Sequence, residues 1–329
     1  MKRLLKIAEL WSITIRAPLF VMLVCALPHI VPLIVKVPHV SALDVTVLES
    51  SAVKPYEDAI KGFEAACNCN IRKVIPVDHN GISVQDEIRK SRPDMIVAVG
   101  EEALRKSLAF KDIPTIYMMV LNPSTVIKNH ENVTGVSMEI PAHKQVASFV
   151  DVFPWIKRLG VIYNPQNTDS FMKVAVKSAM RQGVVLAEGK VLSPKDVPSV
   201  LSSMRGKIDA LWVVPDVTVV TPENMEFIML HSIEFNLPVL TFTDKHVALG
   251  AVMSLDIDPY EIGRQAGGIV KSGTAIAKDD KVYEASVARV SINHITALKM
   301  AIAIKDNFIN KDVVKINLDR YGKNAEQLP

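Results

Sequence analysis

Ten residues of this sequence stand where apolar runs end, and their types suit holding a small solute rather than transforming it. Ser50 and Ser51 follow the first run, Gly100 and Glu101 the third, and Asn122 the fourth. Farther on, Asn164 and Asn167, then Asp216, then Thr243 and Asp244 take the equivalent places. A buried ligand charge must be met by hydrogen bonds or by an opposite charge. Asp216 can face a ligand ammonium, or it can accept the amides of the turn ahead of Pro222. Gly100 lets a ligand approach the backbone, and the amides that open the segment at Glu101 can take a carboxylate. Glu101 itself can be only a favourable charge in a first helical turn. Ser50 and Ser51 can donate hydroxyls to a ligand or cap a helix near Pro55. Asn164 and Asn122 precede prolines, where asparagine also starts turns. Asp244 can serve as a second acid, or Lys245 beside it can neutralise it.

Catalytic chemistry has no comparable foothold. The chain lacks a G-x-S-x-G elbow, a P-loop, H-E-x-x-H and G-x-G-x-x-G, and its eight histidines show no metal-ligand spacing. No cofactor and no metal is expected, and the reading is not an enzyme.

The elements that must carry these residues alternate. Strands are expected over 45–50, 71–77, 94–100, 114–120 and 133–138, with helices over 55–66, 83–90 and 101–110 between them. A helix over 141–153 leads to a second series: strands over 159–164, 184–191, 209–215, 238–243 and 251–255, and helices over 170–182, 197–204 and 222–235. A helix over 259–271, one strand over 282–292, a helix over 295–308 and a polar tail complete the chain. One motif occurs twice: an aspartate-led apolar strand, an acidic turn, a helix and a proline-led strand, from Asp94 to Pro123 and again from Asp209 to Asp244. These runs lack the polar alternation of a half-wet sheet, so they read as buried parallel strands with Tyr117, Trp212 and Phe242 as core. The fold class is α/β, with two doubly wound sheets, and in such sheets ligands bind beyond the carboxyl ends of the strands.

Residues 1–42 carry five basic side chains against Glu9, an uncharged stretch over 17–35 and Val40-Ser41-Ala42. This reads as a signal peptide for export, with an uncleaved anchor as the alternative. Without it the 38 basic and 35 acidic residues of the chain come close to balance, which argues against nucleic acid as a partner. Cys67 and Cys69, one residue apart, read as two thiols at a helix end, a redox pair being the alternative.

Four stretches together carry a resemblance: 113–123 with 132–137, 159–165, 209–216, and 250–254 with 258–267. They are similar to the periplasmic substrate-binding proteins of ABC importers, in the branch that includes tryptophan and other aromatic amino-acid binders. The resemblance implies a type I periplasmic binding fold whose chain crosses three times between lobes, one of 43–138 plus 257–281 and the other of 139–256 plus 282–329. It implies a small-molecule ligand such as an amino acid, a membrane permease as partner and a periplasmic location. One departure is Asn122, where such proteins commonly carry aspartate before the proline. A membrane-anchored sensor of the same fold is the alternative function.

Overall fold

The computed structural model describes residues 42–77, 83–121, 123–127, 132–273, 281–309 and 311–321. The first sheet is built from β1 (Asp44–Glu49), β2 (Asn70–Pro76), β3 (Met95–Val99), β4 (Thr115–Met118) and β5 (Val133–Val136). Between them run α1 (Lys54–Cys67), α2 (Val84–Ser91), α3 (Glu101–Ser107) and the short α4 (Pro123–Val126). After α5 (Ala142–Val152) comes the second sheet: β6 (Arg158–Tyr163), β7 (Val185–Lys190), β8 (Ala210–Trp212), β9 (Val239–Thr241) and β10 (Met253–Ile257). Its helices are α6 (Pro165–Arg181), α7 (Val197–Met204), α8 (Pro222–Phe235) and α9 (Asp244–Ala248). The chain then makes α10 (Pro259–Lys271), β11 (Val282–Tyr283), β12 (Val287–Ile292), α11 (His294–Lys299) and β13 (Val313–Asn317).

The strand orders are β11-β5-β4-β3-β1-β2 and β13-β12-β10-β9-β8-β6-β7. The first sheet is parallel throughout, and so is the second from β7 to β10. Strands such as Met95–Val99 are buried along their whole length, as a sheet with helices on both faces requires.

Three expectations fail at the C-terminal end. The run 282–292 is not one strand: β11 pairs with β5 in the first sheet, while β12 lies antiparallel to β10 in the second. A third crossing therefore falls after Tyr283. The helix over 295–308 stops at Lys299, because Ala301 takes a positive φ of 52° and the Ala303 carbonyl accepts the Trp155 indole N–H at 2.8 Å. The polar tail contains β13, which extends the sheet antiparallel to β12. Phe242 also differs: it follows β9 and is only partly buried, whereas Tyr117 and Trp212 are fully buried as expected.

All three crossings meet the carboxyl ends of the parallel strands. The chain leaves the first sheet at the end of β5, leaves the second at the end of β10, and passes from the end of β11 into β12 beside Ile257. Four peptide steps from Tyr283 to Val287 reach at most about 14 Å, so the two carboxyl rims are neighbours. Polar contacts join these crossings. Buried Lys144 of α5 pairs with Glu284 at 2.9 Å, Gln265 of α10 binds the Glu284 carbonyl and the Ser286 amide, and Lys315 of β13 pairs with Asp258 and Glu261.

Helix α10 returns to the first sheet by lying directly on α1. A Cβ on Gly263 would stand 1.9 Å from the Ala59 carbonyl oxygen, and one on Gly62 would stand 2.0 Å from the Tyr260 carbonyl oxygen. Only hydrogen fits at either place. The largest buried cluster runs through both sheets, from Val47 and Val97 to Val161 and Leu240, with Phe149 of α5 edge-on to Trp212. Cys67 and Cys69 are joined as a disulfide across Asn68, in place of the two thiols expected from their spacing.

Candidate functional site

On the first sheet, the rim is organised by Ser50. Its hydroxyl oxygen accepts the Ala103 amide of α3 at 2.9 Å, so this serine caps the helix after β3 rather than the one after β1. Helix α1 has Val53 at its N-cap and no side-chain cap. Gly100 connects β3 to α3 with φ at 89°, and a Cβ there would lie 2.6 Å from the Ser50 hydroxyl and 2.8 Å from the Tyr56 hydroxyl. Gly100, Ser50 and Tyr56 thus form one tight group. Burial pushes the Tyr56 phenol above its ordinary pKa, helped by Glu101 and Glu49, so it stays a neutral donor. Glu101 is half exposed and pairs with Arg105 at 2.6 Å, the geometry of a helical surface ion pair. Ser51 lies on the same turn, its carbonyl accepting the Val53 amide. Asn122 lies outside the described residues.

On the second sheet, the rim is organised by Asp216. One carboxylate oxygen accepts the Asn164 amide at 2.8 Å and the Thr168 hydroxyl. The other accepts the Thr218 amide at 2.9 Å and the Asn167 side-chain amide at 3.2 Å. Asn164 caps α6 through the Gln166 amide, and its own amide group reaches the Thr218 hydroxyl, as does that of Asn167. Burial works against the charge on Asp216, and these four donors more than offset it, holding the carboxyl below the usual carboxylate range. Asn164, Asn167 and Asp216 are therefore brought together, with the acid tying the loop after β6 to the loop after β8. Its lone pairs are directed at the protein.

Thr243 and Asp244 lie apart from that network. Thr243 caps α9 through the Lys245 amide. Asp244 is half exposed and pairs with Arg289 of β12 at 3.1 Å, not with the adjacent Lys245. The same guanidinium is 3.9 Å from Asp256, the penultimate residue of β10. Asp256 is almost completely buried and accepts the Ser254 hydroxyl at 3.0 Å. Sequence reasoning missed Asp256 and Arg289. The available signal was alternation: Ser254-x-Asp256 and Arg289-x-Ser291 place polar residues on one face of otherwise apolar strands. Tyr56, Thr168 and Thr218 were missed as well, and only proximity in space marks them.

Residues 78–314 match the family model for ABC transporter substrate binding proteins. The chain belongs to that family. A curated relative, a tyrosine-binding protein of Clostridioides difficile (strain R20291), is 27% identical over 260 residues, which are 74% of this chain and 72% of the relative. Among solved structures, a ligand-free, open substrate binding protein with adhesive properties from Clostridium difficile superimposes with a TM-score of 0.62 at 20% identity. That likeness covers 82% of this chain and 98% of the other. A periplasmic ribose ABC transporter protein from Conexibacter woesei gives a TM-score of 0.51 at 11% identity, covering 80% and 96%. The fold is that of the type I periplasmic binding proteins. Among the described residues no helix is long and apolar enough to cross a membrane.

Proposed function

We propose that this protein is the solute-binding component of an ABC importer, and that it captures an aromatic amino acid between the carboxyl rims of its two sheets. The observation that carries the reading is the placement of the crossings. Each meets those rims, so rotation about the crossings opens or closes the space between the group at Ser50 and Gly100 and the groups at Asp216 and Asp244. A ligand that touches both rims only when they approach would shift the population to the closed form. The ligand class rests on the 27% identical tyrosine-binding relative. Membership of the family supports delivery to a membrane permease, and an extracytoplasmic location suits both that role and the Cys67–Cys69 disulfide.

Thermal unfolding of the protein with a panel of amino acids and sugars tests this. A ligand at about 100 times its Kd stabilises by about 2.7 kcal/mol, or roughly 4–5 °C at this size. Such a shift is expected with L-tyrosine or L-tryptophan and not with ribose. A panel in which no amino acid raises the midpoint would overturn the reading.

A further inference from the structure

Asp216 and Asp256, two of the buried aspartates at the second sheet's rim, are in opposite conditions. Asp216 has four protein donors distributed over its two oxygens. Asp256 has the Ser254 hydroxyl, the backbone amide of Asp244, and a guanidinium at 3.9 Å that lies closer to Asp244, at 3.1 Å. A buried carboxylate whose partners do not offset its burial, as those of Asp216 do, retains an unmet demand for positive charge. The group Asp244, Asp256 and Arg289 sums to one negative charge when all three are ionised. It can therefore admit one more cation without excess of either sign. Among the described residues the buried Nε of Arg289 has no hydrogen-bond partner, so that side of the guanidinium is not bonded to either aspartate.

The group is also in the right place. Asp256 is the penultimate residue of β10, just before the second crossing, Asp244 opens α9 after the two residues that follow β9, and Arg289 lies near the start of β12, after the third crossing. We infer that Asp256, supported by Asp244 and Arg289, is the counter-charge for the ammonium of the bound amino acid, and so sets specificity for amines over des-amino analogues. This rests on the amino-acid reading above. Asp216 then has a positioning role, holding the loops after β6 and β8.

The electrostatics of the unliganded protein agree. Burial, with the like charge of Asp244, pushes the Asp256 carboxyl up to about 6 against the opposing effects of Ser254, Arg289 and the Asp244 backbone amide. The other elements packed on β10 add little charge. From β9 comes Thr241, bonded to His246, whose burial holds its ring below its usual range, and Lys245 of α9 is exposed.

The test compares L-tyrosine and L-tryptophan with 3-(4-hydroxyphenyl)propionate and indole-3-propionate, which lack only the amine, by calorimetric titration of the full protein. Wild type should prefer each amino acid to its analogue by about 30-fold or more, the scale of a desolvated charge pair. In Asp256→Asn that preference should fall to within about threefold, because the amine loses its partner while the rest of the ligand keeps its contacts. A preference undiminished in the variant sinks the inference and leaves the amino-acid reading standing. Wild-type protein that binds neither amino acid sinks both. A second measurement needs no variant. At pH 6 an ammonium that draws the Asp256 proton off should release about half a proton on binding, read from titrations in buffers of different ionisation enthalpy. The analogues should release none, and equal release by both classes contradicts the assignment.

Discussion

Replacing Asp216 by alanine removes the carboxylate that joins the loops after β6 and β8, and the cost can be worked from its partners. Two backbone amides, from Asn164 and Thr218, and two side chains, Asn167 and Thr168, lose an ionised acceptor at once. A hydrogen bond to a charged group contributes about 1.5–3 kcal/mol net, and a buried donor left without a partner costs about 1–3 kcal/mol. Water entering the vacated volume recovers part of this, since the freed donors surround one small polar space. A loss of about 3–5 kcal/mol is expected, matching the breaking of a buried charged network. At this chain length that lowers the thermal midpoint by roughly 4–8 °C. The dependence on pH has a definite sign. The folded carboxyl is held below its ordinary value, so its contribution is present above about pH 4 and is lost as pH falls through the folded pKa. Urea unfolding of wild type and Asp216→Ala between pH 7 and pH 3 should show a gap that narrows on acidification. A gap under about 1 kcal/mol at pH 7, or one that does not narrow, would refute the assignment of Asp216 as the organiser of that rim.

Further outcomes follow from the same contacts. Gly263→Ala should destabilise by about 2–3 kcal/mol in chemical unfolding, because the added methyl meets the Ala59 carbonyl and α10 must move off α1. Ser50→Ala should cost about 1 kcal/mol through the lost cap on the Ala103 amide, and amide exchange should speed up in the first turn of α3. Asp256 has the opposite linkage to Asp216. Its raised carboxyl favours the protonated fold, so unliganded stability is given up as pH rises from about 4 to about 6. Asp256→Asn escapes that loss. The stability difference between variant and wild type should therefore move in the variant's favour by up to about 3 kcal/mol across this window, and a flat difference contradicts the assignment.

How much of this was legible depended on whether the signal was local. The buried runs around Val97, Ile116, Val161 and Trp212 announced parallel strands, because a strand covered on both faces has no polar alternation to confuse with anything else. The rim residues could be placed for the same reason, since they stand where those runs end. Their partners could not. Ser50 caps a helix 53 positions away, and Asp244 pairs with Arg289 on a strand 45 positions away rather than with the lysine beside it. Asp216 looked like a ligand group because its sequence neighbours offer it only turn amides, and two of its four donors are side chains from the turn that opens α6. At the C-terminal end local pattern was misleading. The helical composition of 295–308 is overridden at Ala301 by packing against Trp155 and by the Lys305 amide bonding to the Val152 carbonyl. The strand Val313–Asn317 is short and mostly exposed, so its sequence resembles a tail until β12 is beside it.

The central claim is that an aromatic amino acid draws the two carboxyl rims together about the three crossings. Small-angle X-ray scattering of the protein with and without saturating L-tyrosine tests it most directly. The account predicts a smaller radius of gyration and a shorter maximum dimension with ligand present. Calorimetrically confirmed binding with a superimposable scattering curve would contradict it.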